Sequence, residues 1–161
     1  MIDKLVIQLG ERLKKRQLML ATAESCTGGL LAQVVTSIPG SSSWFERGFV
    51  TYSNTSKVEM LGVSLETISR YGAVSEQTVC EMAKGALIHS HAQMSVAISG
   101  IAGPGGEVRD KPVGTVWLAW SGVAGNTHSV SRLFDGDREK VRFQAVCAAL
   151  EGLISDINQW Y

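Results

Sequence analysis

Short apolar runs and amphipathic stretches alternate along this chain from one end to the other, and that order leaves few architectures open. Leu5, Val6, Leu9 and Leu13 recur at helical spacing, which predicts a helix over residues 2–15. Leu18 to Ala23 is a short apolar run that ends in Glu24-Ser25 and reads as a buried strand. Thr27 to Thr36 reads as a helix with Gly28 and Gly29 in its first turn. Pro39-Gly40 and the three serines after it read as a loop. Phe49–Tyr52 is a predicted strand, and Thr55–Leu61 and Leu65–Tyr71 are predicted short helices. Ser75 can cap a helix that runs to about residue 90. Ser95–Ser99 is a predicted strand, followed by a glycine-rich loop, Gly100–Gly106, and by a second strand, Val113–Trp120. His128–Phe134 reads as an outer strand, and Asp137 as the cap of a last helix that carries Val146, Leu150, Leu153 and Ile157 on one face. With no composition break and no internal repeat, residues 1–161 are expected to form a single α/β domain with helices on both faces of one sheet. The connection after Val113–Trp120 is short enough for an antiparallel hairpin, so the sheet is expected to be mixed.

Charge and cysteine usage narrow the function. Lys plus Arg and Asp plus Glu are each 15, giving a formal net charge of zero. A duplex-binding domain needs a basic excess to displace counterions, so a nucleic-acid partner is not expected. No apolar run approaches the ~18 residues that span a bilayer, and the charged N-terminus has no signal-peptide core. Cys26, Cys80 and Cys147 are odd in number and far apart. They fit reduced thiols in a cytoplasm rather than a disulfide framework or a metal site, and no metal or cofactor is expected.

Four constellations can carry chemistry. Ala23-Glu24-Ser25-Cys26-Thr27-Gly28-Gly29 places Ser25 where a strand turns into a helix. Unpaired amides and the helix dipole at such a turn can hold an oxyanion if the serine attacks a carbonyl. Serines also cap helices at such places, so both roles stay open. The segment is not the GxSxG elbow of α/β-hydrolases. Its base is not obvious: His89, His91 and His128 suit solvated or packing roles, and no Ser-His-Asp pattern stands out. Lys57 follows the strand Phe49–Tyr52 through Ser53-Asn54-Thr55-Ser56, and a lysine can act as a base if burial makes it neutral. The alternative is a solvated lysine in the first turn of a helix. Ser99-Gly100-Ile101-Ala102-Gly103-Pro104-Gly105-Gly106 can turn amides toward an anion or approach a flat ring, yet it is neither a Walker loop nor a dinucleotide fingerprint. Arg138 and Arg142, one turn apart after Gly136-Asp137, repel each other, so either an anion such as a phosphate relieves them or both are solvated behind an Asp137 cap, and both readings stay open.

Taken in order, Thr22-Ala-Glu-Ser-Cys-Thr-Gly-Gly29, Gly48-Phe-Val-Thr-Tyr-Ser-Asn54 with Lys57, and Tyr71-Gly-Ala-Val-Ser-Glu76 resemble the signatures of one family, as do Ser99-Gly-Ile-Ala-Gly-Pro104, Lys111-Pro-Val-Gly-Thr-Val116 and Gly136-Asp-Arg138. The chain resembles the CinA C-terminal domain family, the nicotinamide-nucleotide amidase type, over nearly its whole length. That resemblance implies a three-layer α/β/α sandwich with a five-stranded mixed sheet and a cytoplasmic homodimer. It implies hydrolysis of nicotinamide mononucleotide to nicotinate mononucleotide and ammonia in pyridine-nucleotide recycling. Ser25 and Lys57 match the family's Ser-Lys dyad, and Tyr52 matches a tyrosine that orients or assists it. The oxyanion falls to the amides of Cys26, Thr27 and Gly28, and substrate contacts to Glu24, Asn54, Ser99, Gly100, Ala102, Gly103 and Arg142. The longer CinA proteins carry a further N-terminal domain that this sequence does not show, so the pyrophosphatase activity tied to that domain is not expected. Two rivals remain: Cys26 as nucleophile, and a nucleotide-binding module that keeps the glycine loop and the arginines without needing Lys57. A competence-related role rests on the family's historical name alone.

Overall fold

A computed structural model describes residues 1–108 and 110–161. Helix α1 (Ile2–Lys15) leads into strand β1 (Leu20–Glu24), α2 (Leu30–Thr36) and, after a single 3-10 turn at Ser41–Ser43, β2 (Phe45–Val50). Three helices follow, α3 (Asn54–Leu61), α4 (Leu65–Tyr71) and α5 (Glu76–Ile88). Next come β3 (Met94–Gly100), β4 (Thr115–Gly122), β5 (Thr127–Leu133) and the long α6 (Arg138–Trp160). The five strands form one sheet in the order β2-β1-β3-β4-β5. β1 is parallel to both β2 and β3, whereas β3–β4 and β4–β5 are antiparallel, so the sheet is mixed as the short connection after β4 implied.

Alternation along the strands separates two cores. Leu20, Met94, Val96, Ile98, Val116, Leu118 and Trp120 face α1, α2 and α6, and large side chains fill that layer. Ala21, Ala23, Ala97 and Ala119 point the other way, where small residues let α5 lie close to the sheet. The result is the expected three-layer α/β/α sandwich. β1 leaves toward β2 through α2 on one face, and β2 returns to β3 through α3, α4 and α5 on the other. The carboxyl ends of β1 and β3 therefore part at a topological switch point, where open α/β sheets place their ligand crevices.

Two boundaries differ from the sequence expectation. The helix predicted from Thr27 begins only at Leu30, because Gly28 (φ 58°) and Gly29 (φ 103°) adopt left-handed backbone and form a turn. The strand predicted at Phe49–Tyr52 lies at Phe45–Val50. Glu46-Arg47-Gly48 hides its apolar pattern, which an edge strand with one partner can afford.

Gly85 on α5 sets the height of α3, the helix that carries Lys57: a Cβ there would press into the Leu61 carbonyl, a backbone atom that cannot move aside. Gly85→Ala is expected to destabilise the fold by about 1–3 kcal/mol through overpacking. That corresponds to a melting temperature several degrees lower, which thermal denaturation would measure.

Candidate active site

Ser25 is the first residue beyond β1, and its amide donates to the Ile98 carbonyl on β3 at 3.0 Å, which fixes it to the wall of the switch-point crevice. The chain then doubles back. The Gly28 amide donates to the Ser25 carbonyl at 3.0 Å and the Leu30 amide to the Thr27 carbonyl at 2.9 Å. Glu24, fully buried, clamps this turn from below. Its carboxylate accepts from Thr27 Oγ1 (2.7 Å), the Leu31 amide (2.8 Å) and the Ala32 amide (3.1 Å). Those last two are orphan donors at the N-terminus of α2, where the helix dipole also favours a carboxylate. Arg142 reaches in from α6, Nη2 donating to the Thr27 carbonyl at 2.9 Å.

Lys57 approaches from the opposite wall. Ser53 caps α3, accepting from the Ser56 amide at 3.0 Å, and one turn into that helix the Lys57 side chain turns inward and is 1% exposed. Its Nζ lies 2.9 Å from the Thr51 carbonyl, 3.2 Å from the Tyr52 carbonyl and 3.0 Å from Ser25 Oγ. No carboxylate pairs with it among the described residues. Burial without a counter-ion penalises the ammonium and lowers its pKa from the ordinary 10.5. A neutral amine has two hydrogens and one lone pair. In that form the two carbonyls would take the hydrogens and the lone pair would face the Ser25 hydroxyl; the ammonium donates to all three oxygens.

The pair opens into a cavity of about 370 Å³, the size of a small-ligand site. Of the residues assigned to the site from sequence, Ser25, Cys26, Tyr52, Asn54, Lys57, Ser99, Gly100, Ala102 and Gly103 line it. Four do not. Glu24 and Thr27 are buried beneath the turn and hold its shape, so Glu24 is a clamp and not a substrate contact. Gly28 spends its amide on Ser25, which removes it as an oxyanion donor. Arg142 spends Nη2 on Thr27 and lines a separate cavity beside α2. The arginine on the wall is Arg138, which donates to the Gly103 carbonyl (2.9 Å) and the Tyr52 hydroxyl (3.0 Å). Tyr52 touches Lys57 through its carbonyl alone, and its exposed ring stands at the rim. Ala73 and Val74 also line the cavity, and the Ala73 carbonyl accepts from Ser99 Oγ at 2.8 Å. They sit inside the Tyr71–Glu76 signature, which was the available signal. None of the histidines lines the cavity; His128 stacks on Trp120 with ring centroids 5.0 Å apart.

A serine and a buried lysine meet in the switch-point crevice of a mixed sheet that forms the middle layer of an α/β/α sandwich. The chain belongs to the CinA C-terminal domain family, whose model matches residues 2–157. It is 54% identical over 146 residues to the nicotinamide-nucleotide amidohydrolase PncC of Escherichia coli K12, covering 91% of this chain and 88% of that protein. It is 51% identical over 150 residues to the protein of the same name from Enterobacter agglomerans, covering 93% and 92%. Among solved structures, the competence/damage inducible protein CihA from Agrobacterium tumefaciens superposes with a TM-score of 0.94 at 47% identity, over 98% of this chain and 95% of that one. The competence damage-inducible protein A of Klebsiella pneumoniae gives 0.96 at 38% identity, over 99% of each chain.

Two outcomes test this geometry. Burial pushes the Cys26 thiol up to about 11, so iodoacetamide near neutral pH is expected to leave Cys26 unmodified in the folded protein, as peptide mass spectrometry would show. Glu24→Gln replaces an acceptor oxygen with a donor opposite three donors. It is expected to cost about 1–3 kcal/mol, read as a lowered melting temperature.

Proposed function

We propose that this chain is a nicotinamide-nucleotide amidohydrolase in which Ser25 is the nucleophile and Lys57 its base. The observation that carries the reading is the 3.0 Å approach of Lys57 Nζ to Ser25 Oγ, with both remaining acceptors of the amine supplied by backbone carbonyls. The names of the relatives at 51% and 54% identity support the substrate.

The chemistry follows from the arrangement. Neutral Lys57 takes the hydroxyl proton as Ser25 Oγ attacks the carboxamide carbon of the nicotinamide ring. The tetrahedral oxyanion falls to the Cys26 amide, which carries no backbone hydrogen bond among the described residues and sits on the cavity wall at the turn before α2. Protonated Lys57 gives its proton to the departing nitrogen, so ammonia leaves and an acyl ester remains on Ser25. Water, deprotonated by the same amine, attacks that ester and releases the nicotinate nucleotide with Ser25 restored. Asn54, Ser99 and the Gly100–Gly103 backbone lie where ring and ribose would rest. The proposal extends to a cytoplasmic homodimer and to a place in pyridine-nucleotide recycling.

Ammonia release from nicotinamide mononucleotide tests the reading. Ser25→Ala and Lys57→Ala are each expected to lower kcat by roughly 10³-fold or more, with the melting temperature within a few degrees of the native protein. Cys26→Ala is expected to stay active. Undiminished ammonia release from Ser25→Ala would remove the serine from the mechanism. The base must be deprotonated, so activity is expected to fall as the pH drops through the lowered pKa of Lys57, and the ascending limb should lie below 10.5. Lys57→Arg, which stays charged throughout, should be inactive at every pH.

A further inference from the structure

The cavity that holds Ser25 does not end at Arg138. A second cavity, of about 430 Å³, shares Ala102, Gly103, Pro104, Gly105 and Arg138 with it and continues to Glu107, Val113, Gly136 and Asp137. Between the two stands the Arg138 side chain. From the first turn of α6 it reaches the Gly103 carbonyl on one wall and the Tyr52 hydroxyl on the other, at 2.9 and 3.0 Å. At Gly103 the glycine loop packs so closely on Val113 that not even a Cβ would fit, so the strut between the two walls is the guanidinium alone.

Resting on the amidohydrolase reading, we propose that Arg138 is a specificity-determining residue: it closes the nucleotide site after the first phosphate and so selects mononucleotides over dinucleotides. The charges on either side agree. Among the described residues, the only other basic side chain on the wall of the first cavity is Lys57, whose hydrogens are committed to carbonyls, so the phosphate of a nucleotide with its amide at Ser25 has Arg138 as its partner. A guanidinium offers five hydrogens in a fixed fork, and two of them serve as struts here. Beyond the fork the signs reverse. Among the described residues, Glu107 and Asp137 are the ionisable groups of the far cavity besides Arg138, and both are acidic. A terminal phosphate stops at the cation. The second phosphate of a dinucleotide has to displace the struts and then enter a cavity that repels it.

The test compares nicotinamide mononucleotide with nicotinamide adenine dinucleotide on the native protein, Arg138→Ala and Tyr52→Phe. Both kcat/KM for ammonia release and the dissociation constants on Ser25→Ala backgrounds are read. The native protein is expected to favour the mononucleotide strongly. Arg138→Ala should weaken the mononucleotide while sparing or improving the dinucleotide, so that selectivity falls by about tenfold or more. Tyr52→Phe, which removes one strut at an exposed hydroxyl without touching the core, should move the ratio in the same direction by a smaller factor. Ratios in Arg138→Ala and Tyr52→Phe within about twofold of native would overturn the proposal, as would a native protein that takes both nucleotides equally well. The binding ratios keep the two ideas separable. If the native protein binds but releases no ammonia, the amidohydrolase reading fails while the partition is still judged by affinity.

Discussion

An amine held out of water with no carboxylate beside it is the demanding element of this molecule. Lys57 is turned inward by α3 and met by two carbonyls and a hydroxyl. The carbonyls are available because β2 has ended at Val50, so Thr51 and Tyr52 have left the ladder; the Thr51 amide and hydroxyl still bond across, to the Glu24 carbonyl. The Ser53 cap then starts α3 at once, and that abrupt change from strand to helix aims the side chain back under the strand end. Burial also couples the site to stability. At pH values below the lowered pKa, folded and unfolded chains both carry the ammonium and the fold bears its desolvation. As the pH rises from that value toward 10.5, the folded amine is neutral while the unfolded one still holds its proton, so stability grows with pH across that window. At neutral pH the base therefore costs the fold some stability, which is common at reactive sites.

The other side of the pair is built for rigidity. The turn from Ser25 to Gly29 is closed on itself by the Gly28 amide, clamped from beneath by Glu24 and braced from α6 by Arg142. Each of these contacts uses up a group that the sequence alone offers as a ligand contact. What remains uncommitted is a short run of amides beside Oγ, the part of such a turn that can receive developing negative charge without reorganising. The opposing face of the sheet makes room for Lys57 to meet it: the alanines of β1, β3 and β4, with Gly85, bring α5 and therefore α3 close.

Much of this was legible in the residue order. The alternation of strand and helix patterns led to the sandwich, the short link after Trp120 to its antiparallel half, and the strand ends offered Ser25, Lys57 and the glycine loop as candidates that only the family resemblance joined into one site. What escaped was which polar groups are already satisfied. Glu24 reads as a ligand contact until the unpaired amides of α2 are seen to lie within its reach, and those depend on the two left-handed glycines that delay the helix. Arg138 and Arg142 are equivalent on a helical wheel. Only the sheet's twist and the position of the glycine loop decide that the first meets the cavity and the second meets the back of the turn. β2 was misplaced for a related reason: an edge strand is exposed along much of its length, and its alternation is blurred by Glu46 and Arg47.

In the proposed mechanism, the choice of a serine over its thiol neighbour follows from the same burial. Cys26 belongs to the apolar core around β1, α2 and α6, and desolvation drives its thiol up to about 11, so the thiolate that would make it a nucleophile is scarce at neutral pH. Reactive cysteines rely on the opposite setting, a positive and partly solvated one that lowers the thiol. A serine gains nothing from a lowered pKa of that size and needs instead a base in hydrogen-bond contact at the moment of attack. The one amine in the cavity is in contact with Oγ of Ser25. The dry environment that raises the thiol also lowers the amine, so in the proposed mechanism a single physical condition favours the hydroxyl and disfavours the sulfur beside it.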